Sequence, residues 1–549
     1  MTIHPMRTLP LLLGVSVLAL TGCAQWGPQA PEKDKTYAIT ILHTNDHHGR
    51  FWKNRDGEYG MAARKTVIDQ IRQEVQAAGG YSLLLDGGDV NTGVPESDLQ
   101  DAVPDFRGMN LLGYDAMAVG NHEFDKPPVV LQMQRDLATF PMLSANIYKD
   151  GQRMFSPYKV FNLGGVRVGV MGLTTEDTQK MVHPDNIRGV TFADTQTETA
   201  KLLPELRQKA DVVIAATHMG HYENGQHGVQ APGDVELARA VKGLDLIVGG
   251  HTQNPACMKA ENVLDRAYVP GTECKPDRQN GTWIVQAHEW GKYVGRADFT
   301  YRNGEFKLVK YALIPINLKK PVKTADGKTV LQTYTPEIAE SPEMLKLLQP
   351  FQDFGQQKLL VEVGSSDGKL EGDRAVVRSQ PTALGVMIGQ SMMEKVKADF
   401  AIVNAGGVRD SLPAGKIRYK DVLTVHPFGN TIVVVTLSGK EVMDYLNAAA
   451  RMTPGSGAFP QFAGVRLVIE GGKVQSAQIA GQAIDATKTY RMALNNFVAA
   501  GGDGYPKLNT HPGYVDTGFV DADVLRAFIA AHSPLQAQAY APGDSVVRK

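Results

Sequence analysis

The chain has 549 residues, with 57 Lys and Arg against 58 Asp and Glu and a formal net charge of -1. One hydrophobic core rarely grows to that size, so we expect two or three domains. A hydrophobic content of 43% and a charged content of 21% are typical of globular proteins and exclude a disordered or fibrous chain. Because the balanced charge offers no overall attraction to polyanions, nucleic acid is not the expected partner.

The first residues indicate export. Arg7 precedes the apolar run from Leu9 to Leu20, which is too short to cross a bilayer and is typical of a secretory signal. The run ends in Leu20-Thr21-Gly22-Cys23, which resembles a bacterial lipobox in which Cys23 is lipidated; an ordinary signal peptide cleaved nearby is the alternative. We expect a signal peptide at 1–22, a flexible tether at 23–35 and a membrane-anchored lipoprotein facing the periplasm or the cell surface. Ala24 after the cysteine favours the outer membrane.

The cysteine count agrees with export. If Cys23 carries lipid, Cys257 and Cys274 remain, and an oxidising compartment favours a disulfide between two cysteines this close in sequence. Two unpaired thiols are the alternative. A metal role is not expected, because the sequence has no C-x-x-C spacing.

Residues 36–334 alternate short apolar runs with longer amphipathic stretches, which predicts strands joined by helices in a layered α/β domain. Five of six apolar runs are followed at once by a polar cluster: HTNDHH, DGGD, GNHEFD, THMGH and GGHTQ. Ligands bind beyond the carboxyl ends of strands in such sheets, so we expect most clusters to meet at one edge of a single sheet. The run Val166–Val170, which leads into Gly172-Leu173-Thr174-Thr175, carries no evident ligand. The six runs are 38–42, 83–85, 116–119, 166–170, 212–216 and 244–248.

The remaining chain divides into a linker and a second domain. The sequence of residues 335–358 predicts a linking helix, with Ser341 as its cap and Pro342 in its first turn. Pro350 and Gly355 are residues at which this helix can be interrupted. Residues 359–549 contain alternating Val and Ile runs such as 431–437, which indicates an α+β domain.

The polar clusters have the composition of a metal site. Asp46 and His48, two apart on a loop leaving a strand, point the same way, while His47 turns aside. Alone, such a pair is more often a turn, but five similar side chains follow other predicted strands. Oxygen and nitrogen donors without thiolate suit two ions of Zn, Mn, Co or Mg, with Asp89 as the bridge, and such ions promote in-line hydrolysis by water. The other candidate ligands are Asn121, His218, His251 and Gln253.

The order D-x-H, G-D, G-N-H-E, H and G-H-x-Q resembles the calcineurin-like metallophosphoesterase family. The segments LHTNDHHG, GGDVNTGVPESDLQ, GYDAMAVGNHEFD and ATHMGHY are similar to its 5'-nucleotidase/UDP-sugar hydrolase branch, from about residue 36 to the C-terminus. The resemblance implies a four-layer α/β/β/α metallophosphoesterase domain followed by a substrate-binding α+β domain. It places Asp46, His48, Asp89 and Gln253 around one metal, and Asp89, Asn121, His218 and His251 around the other. Gln253 departs from the wider family, in which many members have a second His.

The resemblance also implies that His122, oriented by Asp125, stabilises charge on the transferring phosphoryl group. This role makes independent chemical sense, because a charged donor beside a ligand amide can stabilise a developing oxyanion. A supporting or capping histidine is the alternative.

The second domain contains candidate substrate residues. Arginines near glycine-rich turns can clamp phosphates and phenylalanines on loops can sandwich a base, although singly each is more often a surface or core residue. The resemblance implies phosphate contacts from the arginines, base stacking by the phenylalanines, base-edge recognition by Asn430 and ribose contacts by Asp503. It also implies domain rotation about the linking helix, for which our hypothesis is a hinge at Gly355. The full set is Arg374, Arg378, Arg409, Phe428, Asn430, Phe497 and Asp503.

We therefore expect a monomeric, metal-dependent enzyme that releases phosphate from nucleoside 5'-monophosphates and also hydrolyses 5'-di- and triphosphates and UDP-sugars. A 2',3'-cyclic-nucleotide phosphodiesterase/3'-nucleotidase is the neighbouring alternative. From another class, the chain could be a non-catalytic nucleotide-binding surface lipoprotein. That alternative requires a degraded ligand set, and all seven positions are intact.

Overall fold

A computed structural model describes residues 30–182, 184–222 and 231–549. The expected signal peptide, the lipidation site Cys23 and most of the tether lie outside these residues. Within the described part of the chain, no helix has both the length and the apolar character needed to cross a membrane.

The N-terminal domain consists of strands and helices in the alternation expected from the sequence. Its helices are α1 (Met61–Ala77), α2 (Pro95–Asp98), α3 (Val103–Leu112), α4 (Pro128–Leu137), α5 (Thr178–Met181), α6 (Thr195–Lys209) and α7 (Asp234–Ala240), with 3₁₀ turns at His122–Phe124 and Pro184–Ile187. Its strands are β1 (Tyr37–Thr44), β2 (Tyr81–Asp86), β3 (Ala116–Ala118), β4 (Met142–Leu143), β5 (Ile147–Lys149), β6 (Gln152–Arg153), β7 (Tyr158–Leu163), β8 (Val166–Thr174), β9 (Val190–Phe192), β10 (Val212–His218), β11 (Leu246–Val248), β12 (Met258–Ala260), β13 (Val263–Leu264), β14 (Asp277–Gln279), β15 (Thr282–Val285), β16 (Tyr293–Arg302), β17 (Glu305–Pro315), β18 (Lys319–Lys323) and β19 (Thr329–Thr333).

Two six-stranded sheets form the centre of this domain, in the orders β17-β16-β1-β2-β3-β4 and β14-β15-β11-β10-β8-β7. They stack through β3 and β4 of the first sheet against β8 of the second. One core joins both sheets, for example Ile41, Met117, Val170 and Ile214, each 0% exposed. Helices α1 and α6 pack on the outer faces, against β1 and β2 and against β8 and β10 respectively. The four-layer α/β/β/α arrangement is thereby confirmed.

The expectation of a single sheet was wrong. Strands β1, β2 and β3 belong to the first sheet, whereas β10 and β11 belong to the second. In both sheets these strands are covered on both faces, so the sequence of each strand is a mainly apolar run. Such a run does not indicate which other strand it pairs with. The polar clusters still meet, because the stacked sheets present these carboxyl ends on the same side of the domain.

Helix α8 (Pro342–Leu359) links the domains. It is capped by Ser341, whose Oγ accepts from the Met344 backbone N–H at 3.4 Å, and it runs unbroken through Pro350 and Gly355. It therefore begins seven residues after the start of the predicted segment, at the cap. The helix packs against α1, α2 and α3 of the N-terminal domain.

The C-terminal domain is built on a five-stranded sheet in the order β24-β21-β28-β23-β29. Separate hydrophobic clusters cover its two faces, one including α10 and α14 and the other α12. The expected α+β class is confirmed. The elements are β20 (Glu362–Ser366), α9 (Arg374–Val377), α10 (Ala383–Val396), β21 (Phe400–Asn404), β22 (Gly415–Arg418), α11 (Tyr419–Val425), β23 (Thr431–Ser438), α12 (Gly439–Ala450), β24 (Pro460–Ala463), β25 (Val465–Glu470), β26 (Lys473–Ile479), β27 (Gln482–Ala483), β28 (Thr489–Asn495), α13 (Asn496–Ala499), β29 (Tyr514–Val520), α14 (Asp521–His532) and β30 (Val546–Arg548), with 3₁₀ turns at Ala405–Gly407, Gly502–Gly504 and Ala537–Tyr540.

Cys257 and Cys274 form a disulfide, with Cα atoms 4.8 Å apart. Both cysteines are buried. The predicted bond is thereby confirmed, and the alternative of two unpaired thiols is wrong.

Candidate active site

The predicted metal ligands all lie at the carboxyl ends of strands, or directly beyond them, and the fold brings them together. Two follow β1, one each follows β2 and β3, one is the last residue of β10, and two follow β11. The carboxylates are buried, with Asp46 0% and Asp89 1% exposed, and so is His218 at 0%. In the same order, the residues are Asp46 and His48, Asp89, Asn121, His218, and His251 and Gln253.

Most of these ligands have left-handed backbone conformations. The φ angles are 52° at Asp46, 51° at His48, 62° at Asp89, 77° at His251 and 55° at Gln253. Such conformations cost on the order of 1–3 kcal/mol each and persist where the surrounding structure enforces them. Five of the seven candidate ligands share this conformation, so backbone strain is concentrated at the site.

Backbone hydrogen bonds tie the ligand loops together. The Asp46 N–H donates to Gly88 O at 2.9 Å and the His48 N–H to Asp89 O at 3.0 Å. Across the two sheets, the His251 N–H donates to Asp46 Oδ2 at 2.8 Å. The loops approach so closely that a Cβ on Gly120 would lie 2.2 Å from Asp89 Oδ1. Glycine is therefore required there.

Glu123, in the GNHEFD cluster, holds the loops of the site together through hydrogen bonds. The sequence did not reveal this role. Its buried carboxylate accepts backbone N–H groups of Gly120 at 2.7 Å, Val90 at 2.8 Å and Asp89 at 3.0 Å. These bonds hold the loop after β2 against the loop after β3. A carboxylate next to a ligand pair gives the same sequence signal whether it binds metal or supports the ligands.

Backbone carbonyls fix two histidines so that Nε2 of each ring faces the centre of the site. His218 Nδ1 lies 2.7 Å from Gly87 O and His48 Nδ1 lies 2.9 Å from Thr92 O. Carbonyl oxygens only accept, so Nδ1 carries a proton in each ring, and Nε2 is the nitrogen left to bind a metal. The adjacent His47 turns away, as expected, with its Nε2 2.8 Å from Asp105 Oδ1.

Two buried oxygens test whether the site suits cations. Asp46 Oδ1 and Asn121 Oδ1 are fully buried without a hydrogen-bond partner, which is costly unless a ligand completes them. His251 Nδ1 and His218 Nε2 lie only 3.2 Å apart, and two lone pairs at that distance repel unless a cation or proton lies between them. The residues therefore fit divalent metal ions.

Two ligand groups converge on the same carboxylate. His48, Asp89 and His122 form one group, and Asp89, His218 and His251 form the other, with the ligand atoms of each group within 4.8 Å of one another. Asp89 belongs to both groups, as a bridging carboxylate would, whereas His122 in the first group was not predicted as a ligand. Gln253 differs from expectation in detail. Its amide nitrogen faces His48 Nε2 at 2.7 Å, and its amide oxygen accepts from Arg374.

The electrostatics are those of a strongly coupled cluster. Burial raises the pKa of Asp46 to about 7. Burial also acts on Asp89, but His218 and His122 hold the pKa of that carboxyl well below its usual range. In turn Asp89 raises the pKa of His218 to about 10 in spite of burial. The carboxylates and imidazoles share protons that bound cations would displace.

His122 lies at the edge of this cluster and faces the other domain. Its Nδ1 lies 2.5 Å from Asp125 Oδ2, its Nε2 lies 3.9 Å from Asp89 Oδ2, and its backbone N–H donates to Asp89 Oδ1 at 2.9 Å. Burial lowers the pKa of His122, but Asp125 and Asp89 raise it above its ordinary value. Its ring is stacked at 6.1 Å on that of Phe428 from the C-terminal domain.

A cavity opens between the two domains directly above these residues. The C-terminal domain contributes three arginines to it. Arg374 donates to Gln253, Arg378 has a buried Nε without a partner, and the Arg409 guanidinium lies 5.5 Å from the Phe428 ring centre. Burial and the neighbouring Arg374 lower the pKa of Arg409 to about 10. Cations held this close to one another favour an anionic ligand.

The rest of the cavity contains the remaining predicted substrate residues, Phe428, Asn430, Phe497 and Asp503. Asp503 has a φ of 55° and accepts from Asn404 Nδ2 at 2.7 Å. The sequence did not single out Asn404, nor Met181 and Val182, which line the cavity from the N-terminal domain. No local pattern marks these three residues, because their position depends on how the domains meet.

Two family models match the chain, Calcineurin-like phosphoesterase over residues 39–255 and 5'-nucleotidase, C-terminal domain, over residues 362–510. Protein UshA of Yersinia enterocolitica is 59% identical over 524 residues, covering 94% of this chain and 95% of that protein. A 5'-nucleotidase of Vibrio cholerae is 55% identical over 543 residues, covering 98% of each. Among solved structures, a 5'-nucleotidase precursor from Thermus thermophilus aligns with a TM-score of 0.75 and 30% identity, covering 93% of this chain and 99% of that one. These matches span both domains.

Proposed function

The chain belongs to the 5'-nucleotidase family of calcineurin-like phosphoesterases, and from this premise we propose that it releases inorganic phosphate from nucleoside 5'-monophosphates. One observation carries the proposal. A single cavity is lined by candidate metal ligands on one wall and by arginines with partly buried aromatic and carboxylate groups on the other. The first wall suits a phosphoryl group and the second suits the rest of a nucleotide.

Two divalent cations belong to this reaction. Asp46, His48, Asp89 and Gln253 would hold one ion, and Asp89, Asn121, His218 and His251 the other, with Zn, Mn, Co or Mg compatible with these donors. When bound, such ions supply Lewis acidity and activate water for in-line attack on phosphorus. For Gln253 to offer its oxygen, its amide must rotate away from the contact with Arg374.

His122 is the protein group that stabilises charge on the transferring phosphoryl group. Asp125 fixes Nδ1, so the Nε2–H points to the cavity beside Asp89. A donor oriented in advance stabilises developing charge without reorganising when the reaction occurs. The bond to Asp125 also favours the protonated imidazole, which strengthens this donation.

The C-terminal wall binds the substrate. Arg374, Arg378 and Arg409 supply three positive charges. This is more positive charge than a single phosphate requires, so the same wall can also bind 5'-di- and triphosphates and UDP-sugars. Phe428 and Phe497 bind the base, Asn430 its edge, and Asp503, held by Asn404, the ribose hydroxyls. Since both walls line one cavity, substrate is held where the metal ligands and His122 converge.

The substrate panel that tests this proposal is AMP, 3'-AMP and 2',3'-cyclic AMP with added Mn or Co. We expect phosphate release from AMP to exceed that from the other two by at least roughly tenfold in kcat/KM, a discrimination of the size that pocket contacts provide. Preferred release from 3'-AMP or the cyclic nucleotide would favour the neighbouring phosphodiesterase activity. No release from any of the three in protein with bound metal would indicate a nucleotide-binding protein without catalysis.

We also propose that the protein is exported and anchored by lipid on Cys23. The residues Leu20-Thr21-Gly22-Cys23 support this, and the disulfide is consistent with an oxidising compartment. In cells expressing the full chain, Cys23→Ser should abolish incorporation of labelled fatty acid and release the protein from the membrane fraction. Unchanged fractionation would exclude the anchor.

A further inference from the structure

One strand end had no assigned role. The segment after β8 (Val166–Thr174) follows the apolar run that lacks a metal ligand in the sequence. In the structure this segment forms α5 (Thr178–Met181) and continues to Val182, and the side chains of Met181 and Val182 line the cavity between the domains. The strand end therefore contributes apolar groups where its neighbours contribute metal ligands.

These two residues lie at the nucleoside end of the cavity. Helix α5 packs against the turn Gly502–Gly504, which contains Asp503. Gly502 in turn lies flat against Phe497, since a Cβ on that glycine would be 2.4 Å from the Phe497 Cζ. Met181 and Val182 thus face the proposed base pocket, although they belong to the other domain.

The segment is fixed on both sides. Thr178 Oγ1 donates to Thr175 O at 2.7 Å, and Asp177 accepts from the Ala231 N–H at 2.8 Å. Asn186 Nδ2 donates to the carbonyls of Phe124 and Asp125 at 3.0 and 2.9 Å. The apolar wall is therefore attached to the turn that carries His122 and Asp125.

We propose that Met181, backed by Val182, forms the N-terminal-domain wall of the base pocket and sets the breadth of base recognition. This proposal rests on the nucleotidase function above. A methionine side chain is unbranched and polarizable, fills irregular gaps and makes favourable contacts with aromatic rings. Such a wall can contact purines and pyrimidines of different width, whereas a rigid β-branched residue at the same position would not adapt.

The test separates base recognition from phosphate recognition. We would measure kcat/KM for AMP, UMP and ribose 5-phosphate, which carries the sugar and phosphate without a base, in wild type, Met181→Ala, Met181→Leu and Val182→Ala. For Met181→Ala the ratio of kcat/KM for AMP to that for ribose 5-phosphate should fall by roughly tenfold, as expected for lost apolar contact in a pocket, mainly through KM. For Met181→Leu, which keeps the side-chain volume, kcat/KM should fall less for AMP than for UMP. Val129→Ala, at a position 72% exposed on the same domain, is the control that should keep the wild-type ratio.

An unchanged ratio, or an equal loss with ribose 5-phosphate, would overturn the proposal, because a purely structural role affects both substrates alike. Melting temperatures show whether Met181→Ala has a folding defect. If it has one, the ratios measured for Met181→Leu and Val182→Ala decide whether the proposal holds. If wild type releases no phosphate from AMP, the nucleotidase function fails, and calorimetric binding of adenosine to wild type and Met181→Ala tests the wall on its own. Equal adenosine affinities would reject it.

Discussion

Glu96 of the N-terminal domain accepts a hydrogen bond from Lys420 Nζ of the C-terminal domain at 2.5 Å. The Glu96 side chain is 1% exposed and that of Lys420 is 35% exposed. The same Glu96 oxygen accepts from Gln356 of the linking helix at 2.9 Å, and its other oxygen is buried without a partner. One buried carboxylate thus joins the two domains and the helix between them, in the arrangement that encloses the cavity.

Removing Lys420 should weaken this enclosed arrangement. Lys420→Ala leaves a buried carboxylate with a poorer set of donors, at a cost of about 1–3 kcal/mol that is borne only when the domains are together. We therefore expect the KM for AMP to rise several-fold and the radius of gyration from small-angle X-ray scattering to increase.

The matched control is Lys416→Ala. Lys416 pairs with Glu362 at 2.8 Å within the C-terminal domain, where both side chains are largely exposed, and such pairs contribute little. Equal effects of the two substitutions would mean that Lys420 acts through net charge and not through the interdomain contact.

A substitution at Gly355, on the linking helix, is a second test of the contacts between the domains. Alanine normally stabilises a helix interior relative to glycine by about 1 kcal/mol, but a Cβ on Gly355 would lie 2.5 Å from Glu96 Cγ and 3.1 Å from its Cα. Gly355→Ala should therefore separate α8 from α2 and raise the KM for AMP while the melting temperature changes little. Phe354→Ala, at the neighbouring 46% exposed position, should leave KM unchanged. If Gly355→Ala behaves like wild type, the close contact of α8 with α2 at Gly355 does not determine the arrangement of the domains.

His122 should be needed for turnover and dispensable for binding. His122→Ala removes one charged donor, and losing a single oriented donor of this kind lowers kcat by about 10²–10³-fold. Asp125→Asn should lower kcat by less, because the imidazole remains but its orienting carboxylate is lost. Stopped-assay kinetics measure kcat, and metal analysis of each variant checks that the ligands are intact. A His122→Ala enzyme with wild-type kcat would exclude the proposed role.

The metal content of variants should distinguish Asp89, the proposed bridging carboxylate, from a residue that binds only one ion. We expect the wild-type protein purified without chelator to contain about two divalent ions, since a shared carboxylate serves a two-metal site. Asp89→Ala should reduce both, because Asp89 belongs to both ligand groups, whereas Gln253→Ala should reduce only one. Inductively coupled plasma mass spectrometry gives the stoichiometry. Chelator treatment should abolish phosphate release, and Mn or Co should restore it.

The candidate metal ligands could be predicted from the sequence because their signal is local. Each lies on a strand or just beyond it, so a polar cluster after an apolar run identifies Asp46 or His218 without knowledge of the partner strands. The assignment of strands to two sheets could not be read, because β1 and β10 are both continuous apolar runs whose pairing partners lie elsewhere in the chain.

Residues that act through long-range contacts were missed for the same physical reason. Glu123 supports the site through backbone N–H groups more than thirty residues away, and Met181 lines a cavity that forms only where the two domains meet. Glu96 occurs in the segment GVPESDLQ, which carried the family resemblance, yet its partner Lys420 lies 324 residues away. A single sequence contains no information on which of many lysines that carboxylate meets.

His43 should make the protein sensitive to acid. The side chain is 0% exposed, Tyr311 OH lies 3.2 Å from its Nε2, and its Nδ1 has no partner. Burial lowers the pKa of His43 to about 3. In the unfolded chain the imidazole binds a proton near its ordinary value of about 6.5. Below that pH the unfolded state therefore binds more protons than the folded state, and stability falls as pH falls.

The contribution of His43 is fully present above pH 6.5 and decreases by about 1.4 kcal/mol for each pH unit below it, until the folded-state value is reached. Between pH 7.5 and 5.0 the wild type should lose about 2 kcal/mol from this group, a loss that His43→Phe cannot show. The variant gives up the hydrogen bond with Tyr311, but that cost does not depend on pH in this range. Tyr311→Phe, which removes the same bond and keeps the imidazole, should retain the wild-type slope. Urea unfolding of the three proteins at both pH values measures the difference, and parallel stability profiles for wild type and His43→Phe would contradict the assignment.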